Sequence, residues 1–376
     1  MTQVAADNGP QPRRTGRVVL CGPSRDSVSG VATHLNQLFG SSLAQDYTLL
    51  QFQVGSEGRS EGLLRKSVRY LTSPLDLAIT INRFKPDIVH LNSSFEPKAY
   101  WRDLIYLLIA RMSGCRVVFQ VHGGELPSRF LGRNRWMHAF LRWSLALPDV
   151  LVLLAEIERK EYQDFNAGRR ILVIPNAIDL AEYDSQTTKT FDHDPFRLGY
   201  IGRLAEDKGI REVIEALIIL RKEGIANLHL TIAGSGPYEA ELIALVEQAG
   251  MADRVEFIGA VFGRDKLRFW NSIEIFTFPT YHREGLPYTV LEALASGTPQ
   301  ITTPVGGIPD VVRNGVEGLV IDSHDPQSIA RAIRELQGDP ERLRDMSQAS
   351  IMRAHENYGV ARLAQQFDGL YQELLA

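Results

Sequence analysis

The sequence predicts an α/β protein built from two doubly wound parallel sheets in tandem, and three observations carry that prediction. Short apolar runs of strand length alternate with amphipathic stretches of helix length, which is the pattern of repeated βα units. The alternation breaks once, in a polar and irregular stretch from Pro175 to about Pro195, and then restarts. At 376 residues the chain is long enough for two separate cores.

Residues 17–21 form a short apolar strand that Gly22-Pro23 ends. Ser29-Gly30-Val31 then opens a helix carrying Val31, Leu35 and Leu38 on one face. Backbone N–H groups near Gly30 face a ligand on one reading, since glycine lets a ligand approach the main chain; a plain tight turn is the other. Strands follow at 48–54, 88–91, 117–121, 150–154 and 171–174, separated by helices at 74–84, 104–112 and 136–147 and a further one before 171. Past the polar stretch come strand 196–201, helix 210–220, strand 228–233, helix 238–249 and strand 255–258. Strand 275–278 leads through Glu284-Gly285-Leu286-Pro287 into a helix that Gly297 and Pro299 close. Strand 300–302, a short helix at 308–312, strand 319–321 and helices from 326 to 375 complete the chain. The expected division is a disordered leader over 1–16, a Rossmann-like domain over 17–187, a second one over 188–355 and a terminal helix over 356–376.

Composition narrows the function classes. A hydrophobic share of 44% and a charged share of 23% are those of an ordinary globular protein. A net charge of -4 gives no electrostatic footprint for nucleic acid, so that partner class is set aside. Cys21 and Cys115 lack metal-ligand spacing and sit in apolar contexts. The N-terminal stretch has no apolar signal-peptide core, and no apolar run reaches membrane-spanning length, so the expected compartment is the cytoplasm.

Several loops fall where open α/β sheets bind ligands, at the carboxyl ends of strands. Gly202-Arg203-Leu204-Ala205-Glu206-Asp207-Lys208-Gly209 follows strand 196–201. Arg203 and Lys208 beside a helix N-terminus make a diphosphate cradle, or else a surface turn with solvated charges. Gly234-Ser235-Gly236-Pro237 repeats the logic one strand later, without the spacing of a P-loop or a dinucleotide fingerprint. His122, between Val121 and two glycines at a strand tip, suits a ligand hydrogen bond or a structural one. Glu284 and Glu292 stand about two helical turns apart, too far to share a proton but spaced to grip two parts of an elongated ligand; two solvated helix glutamates are the alternative. Asp192-His193-Asp194 spells an acidic triplet of the kind that holds a divalent ion, yet no strand leads into it, and it reads as a solvated loop. No metal site is expected. Arg59, Arg65, Lys66 and Arg69, with 128–136, form a basic-aromatic patch suited to anionic lipid headgroups, with Phe130, Leu131 and Trp136 entering the interface; an ordinary solvated basic face is the other reading.

Taken in order, these loops resemble glycosyltransferase family 4, retaining enzymes of the GT-B architecture, of the kind that builds bacterial surface polysaccharides. The resemblance rests on Gly202-Arg203-Leu204 with Lys208-Gly209, on Ala233-Gly234-Ser235-Gly236-Pro237, and on Glu284 with Glu292 in an E-x7-E pattern. Ile174-Pro175-Asn176-Ala177-Ile178-Asp179, Gly306-Gly307-Ile308-Pro309-Asp310 and Asn314-Gly315-Val316-Glu317-Gly318 match as well. In the first domain it rests on Gly30 and the His122-Gly123 pair alone, and Ser29 stands where the family often has a second glycine.

The resemblance implies two Rossmann-like domains facing each other across a cleft, with helix 361–375 packing back on the first domain. It implies transfer of a hexose from a nucleotide-diphosphate sugar to a saccharide or lipid-linked saccharide, at the inner face of the membrane, with no metal and no other cofactor. Arg203 and Lys208 would hold the diphosphate and stabilise the charge of the leaving nucleotide. Glu284 would contact the sugar, Glu292 the ribose, and backbone amides at Gly285 and Leu286 the sugar and phosphates. Gly30 and Gly234 would allow close approach of the donor, Phe257 and Ile258 would pack on the base, and His122 would line the sugar site. Two other readings stay open: a non-catalytic subunit that binds sugar nucleotides, and a sugar-nucleotide epimerase of the same architecture. A nicotinamide dehydrogenase is disfavoured, because Gly22-Pro23-Ser24 does not spell the glycine-rich fingerprint.

Overall fold

The computed structural model describes residues 16–376 apart from 60, 131, 133, 166, 168, 169, 185–188 and 284, and leaves aside the side chain of Leu63. The expected leader thus lies outside the described residues, except for Gly16, and so does Glu284. By its contacts the chain forms two units. The first runs to Leu153 and adds Arg159–Ile174 and Val360–Ala376; the second takes Leu154–Glu158 and Pro175–Gly359.

The first unit is built in the order β1 (Gly16–Gly22), α1 (Gly30–Gly40), α2 (Leu43–Asp46), β2 (Tyr47–Gln53), α3 (Leu63–Phe84), β3 (Ile88–Phe95), α4 (Pro97–Met112) and β4 (Arg116–Gly124). It continues with α5 (Arg135–Leu145), β5 (Val150–Leu153), α6 (Glu156–Asp164), whose residues up to Glu158 belong to the second unit, and β6 (Ile171–Val173). The strands make one parallel sheet in the order β2-β1-β3-β4-β5-β6. Strands covered on both faces read as continuous apolar runs, and Val150-Leu151-Val152-Leu153 is buried throughout. The order reverses between β1 and β3, so their carboxyl ends open the crevice of this sheet.

Several features differ from the sequence pattern. Helix α3 starts at Leu63, not at Pro74, which sits inside it. Proline removes one N–H and disfavours a helical residue before it, but buried Ser73 and Leu77 anchor the helix on both sides of the proline. The Ser73 hydroxyl lies 2.5 Å from that of Tyr106 on α4. Helix α4 begins at Pro97, where proline takes the first helical position and its missing N–H costs nothing. Phe130, expected at a membrane interface, is instead buried, edge-on to Phe95 and Tyr100 with ring centres 4.9 and 5.0 Å away.

The second unit runs α7 (Ala181–Asp184), β7 (Phe196–Ile201), a 3-10 turn at Glu206–Lys208, α8 (Ile210–Lys222), β8 (Leu228–Ala233), α9 (Glu239–Gln248), β9 (Val255–Gly259) and α10 (Gly263–Ser272). Then come β10 (Ile275–Phe278), α11 (Tyr288–Ala295), β11 (Gln300–Thr302), α12 (Ile308–Val311), β12 (Gly318–Val320), α13 (Pro326–Gln337) and α14 (Pro340–Asn357). Helix α10 is not picked out by the sequence pattern, since only Leu267, Phe269 and Trp270 are apolar among its residues. The parallel sheet runs β12-β11-β10-β7-β8-β9. That is the Rossmann order, with its reversal between β7 and β10. The chain ends in α15 (Val360–Leu375), which packs on α1 and α2 of the first unit; Tyr47 donates to Asp368 Oδ1 at 2.8 Å.

Candidate active site

Within the second unit, the two loops that leave the switch-point strands are the ones the sequence marks. After β7 the chain runs through Gly202, Arg203 and the turn Glu206–Lys208. After β10 it runs through 279–287 into α11. Residues 280–282 hold the 3-10 turn from across the switch point. The Asp207 carbonyl accepts the N–H groups of Tyr281 at 3.1 Å and His282 at 2.9 Å, and the Tyr281 hydroxyl donates to the Glu206 carbonyl at 2.6 Å. Gly209 closes the turn with φ 74°, and a Cβ there would lie 2.2 Å from the Pro279 carbonyl oxygen. Glycine is required on both counts.

The third loop docks main chain to main chain. Gly202 and Leu204 donate to the carbonyls of Ala233 and Ser235, each at 3.0 Å. A Cβ on Gly234 would stand 1.9 Å from the Gly202 carbonyl oxygen. The closeness of this loop pair accounts for the Gly-Ser-Gly run without any ligand. Arg203 emerges from the resulting platform exposed, and among the described residues its guanidinium has no acidic partner; Lys208 beside it is half-buried.

The loop before α11 is held by its carbonyls. That of Gly285 accepts the Gly307 N–H at 2.7 Å, and that of Leu286 accepts the side-chain amide of buried Asn176 at 2.7 Å. Among the described residues no acceptor takes the N–H of Gly285 or Leu286. Those amides, with the N-terminus of α11, supply positive potential at the same sheet edge as the loop that carries Arg203 and Lys208. Glu292 lies one turn into α11 and is buried. Its carboxylate accepts from Lys266 Nζ at 2.6 Å and Trp270 Nε1 at 3.3 Å, both on α10. Burial raises its pKa and the Lys266 ammonium opposes the rise. A carboxylate has about four acceptor positions, so two of them remain for a ligand.

In the first unit, His122 stands at the end of β4. Asn92 donates through Nδ2 to the Cys21 carbonyl at 3.0 Å, which turns its Oδ1 toward His122 Nε2, 2.8 Å away. Nε2 therefore carries the hydrogen, and Nδ1 is left as an acceptor. Burial, with His34 and His90 nearby, holds the His122 pKa well below 6.5, so the ring is neutral. Behind it His90 donates through Nε2 to Gln120 at 3.0 Å and accepts from the Tyr371 hydroxyl at 2.8 Å. His34, on α1, is buried with its ring centre 4.9 Å from that of His122.

Comparison with known proteins identifies the family. The family model described as Glycosyltransferase Family 4 matches residues 29–182, and that described as Glycosyl transferases group 1 matches residues 184–353. The chain belongs to this family of glycosyltransferases. A glycogen synthase of Mycobacterium tuberculosis is 29% identical over 286 residues, covering 74% of this chain and 67% of its own length. The capsular polysaccharide biosynthesis glycosyltransferase CapM of Staphylococcus aureus is 30% identical over 183 residues, 49% of this chain and 47% of its own. The crystal structure of Anabaena HepE in complex with UDP-glucose superposes with a TM-score of 0.74 at 15% identity, covering 95% of this chain and all of that one. The fold is GT-B.

In this glycosyltransferase the structure brings Arg203, Lys208, Gly234, Gly285 and Leu286 to one edge of the second sheet, with Glu292 just behind. Phe257 and Ile258 are consecutive residues of the edge strand β9, where the pairing with β8 skips Ile258; Phe257 packs on the core and Ile258 stays exposed. Gly30 is the first residue of α1, capped by Ser29, whose hydroxyl accepts the Ala32 N–H at 3.3 Å. Asn176, quoted in the sequence only as part of a motif, proves to position Leu286. Glu158 escaped sequence reasoning. Its carboxyl is raised to about 7 by burial and by Asp310, which caps the start of α6 by accepting the Ile157 N–H at 3.1 Å. A lone glutamate in a charged helix offers no sequence signal for that.

Proposed function

We propose that this glycosyltransferase moves a hexose from a nucleoside-diphosphate sugar to a saccharide acceptor, with retention of configuration at the anomeric carbon and without a metal ion. The reading rests on the cationic loop: an exposed Arg203 with no acidic partner among the described residues, beside Lys208 and the unspent amides of Gly285 and Leu286. Such a cradle matches a diphosphate in charge and in donor count. As the bond from the anomeric carbon to the β-phosphate oxygen breaks, negative charge grows on that oxygen, where the cations and amides stabilise it. The acceptor hydroxyl attacks the same face and its proton passes to the departing phosphate, so no separate carboxylate nucleophile is needed. Glu292 accepts from the ribose hydroxyls, Glu284 contacts the sugar, and His122 offers Nδ1 to a saccharide hydroxyl.

That HepE has been solved with UDP-glucose, and that CapM is named for capsular polysaccharide biosynthesis, supports a nucleotide-sugar donor and a surface-polysaccharide acceptor. We extend this to a lipid-linked saccharide presented at a membrane surface. Among the described residues no helix is long and apolar enough to cross a membrane, so such an enzyme would meet its acceptor from the side.

The test is transfer of radiolabelled sugar by Arg203→Ala and Lys208→Ala. Each should lose at least about 100-fold in kcat, the scale expected when one preorganised charge partner is removed. Undiminished transfer in both would overturn the diphosphate role, and strong inhibition by EDTA would overturn metal independence.

A further inference from the structure

We propose that the face of the first unit formed by α3, α4 and α5 docks on an anionic lipid bilayer, with an apolar ladder on α3 entering the headgroup region. This deepens the membrane part of the reading above and does not depend on the donor chemistry. Helix α3 buries Ser73, Leu77 and Ile81 toward its own unit. On the other side it exposes Leu64 (80%), Val68, Leu71 (75%), Leu75 (65%) and Ile79. These five recur every three or four residues and so line one stripe, about 22 Å long at 1.5 Å per residue. Packing within the unit does not use them. Contiguous exposed apolar surface of this kind marks an interaction site, whereas single exposed apolar residues are ordinary.

Helices α4 and α5 expose further large apolar side chains. Helix α4 packs against α3 and exposes Met112 (87%). Trp101 on α4 stacks on Phe140 of α5 at 5.6 Å, and α5 exposes Trp136 (72%) and Trp143. Tryptophans at the rim of an apolar stripe suit the boundary between headgroups and acyl chains.

Charge decides the occupant. Helices α3, α4 and α5 carry 9 Arg and Lys against 2 Asp and Glu, a net +7 within a chain of net -4. Arg65 and Lys66 are exposed beside the ladder, and α3 has no acidic residue before Asp76. A second copy of the chain would set one strongly basic face against another, which is repulsive. An anionic lipid surface complements both the charge and the apolar stripe. Of the patch expected from the sequence, Phe130 is buried, so the apolar contact shifts from the 128–136 loop to α3.

The experiment is sedimentation of the full chain with phosphatidylcholine vesicles, with and without phosphatidylglycerol. Binding should need phosphatidylglycerol and weaken with salt. The triple variant L64S/L71S/L75S should reduce the bound fraction by about tenfold or more, with unchanged circular dichroism. Should that variant misfold, Arg65→Glu with Lys66→Glu must give the same loss. Absence of binding to phosphatidylglycerol vesicles, or binding untouched by the variants, overturns the proposal. So does a dimer in light scattering that the triple variant dissolves, since the ladder would then belong to a second copy. Transfer to a water-soluble acceptor should survive in all these variants, so that failure of docking and failure of the transferase reading give different results.

Discussion

The buried histidines of the first unit make its stability depend on pH, and His34→Phe isolates the effect. Burial lowers His34 to about 4 and His90 to about 3, from an ordinary value of 6.5. The neighbouring Gln120 amide offsets the shift in part for both. Both rings are neutral in the folded state and protonate more readily once unfolded. Below pH 6.5 the unfolded chain therefore binds more protons, and stability falls as pH drops until the folded values are reached. At pH 5 each ring should cost about 2 kcal/mol relative to pH 7 and the pair about 4 kcal/mol. Phenylalanine fits the His34 position on geometric grounds. Among the described residues neither ring nitrogen of His34 has a partner at full hydrogen-bond distance, Gln120 being a weak neighbour at most, and the ring already lies edge-on to Phe367 at 5.8 Å. Urea unfolding at pH 7 and pH 5 measures the difference. Tryptophan fluorescence follows the right unit, since Trp101, Trp136 and Trp143 lie in the first unit and only Trp270 in the second. His34→Phe should match or exceed the parent at pH 7 and recover about 2 kcal/mol of the loss at pH 5. An unchanged loss between the two pH values would refute the reasoning.

Three further outcomes are expected. Asn176→Ala removes the amide that holds the Leu286 carbonyl, so stability should fall by about 1–3 kcal/mol. The thermal shift produced by a nucleotide sugar should shrink with it, and a full shift would mean that Leu286 needs no such support. Glu292→Gln breaks the charge pair with Lys266 and weakens ribose recognition. Donor affinity measured by calorimetry should drop about tenfold, or 1.4 kcal/mol, and an unchanged Kd would limit Glu292 to a structural role. Glu158, raised to about 7 from 4.5, keeps its proton in the folded state. Its contribution is full below pH 4.5 and is lost as pH rises through 7. Glu158→Gln should therefore be more stable than the parent at pH 8, by about 3 kcal/mol, and equal stability there would show the carboxyl to be freely solvated.

What the sequence determined by itself is the local content of the chain: which runs become strands, where the alternation breaks, and which loops follow the carboxyl ends of strands. Those features depend on residues a few positions apart, through the periods of strand and helix. The ordered loops of the second unit also sufficed to identify the family. Tertiary structure decided every property that depends on residues distant in sequence. Asp207 meets Tyr281 and His282 only because β7 and β10 pair at the switch point of the sheet. Glu292, which reads as a helix glutamate in isolation, is buried against Lys266 and Trp270 because α10 packs beside α11. Phe130 and the ladder of α3 exchange places in the same way. A basic-aromatic run and a helix with apolar residues on two sides look alike in one dimension, and only packing determines which apolar groups face water. Charge and periodicity belong to the sequence, whereas burial is a relation between elements that the sequence does not place side by side.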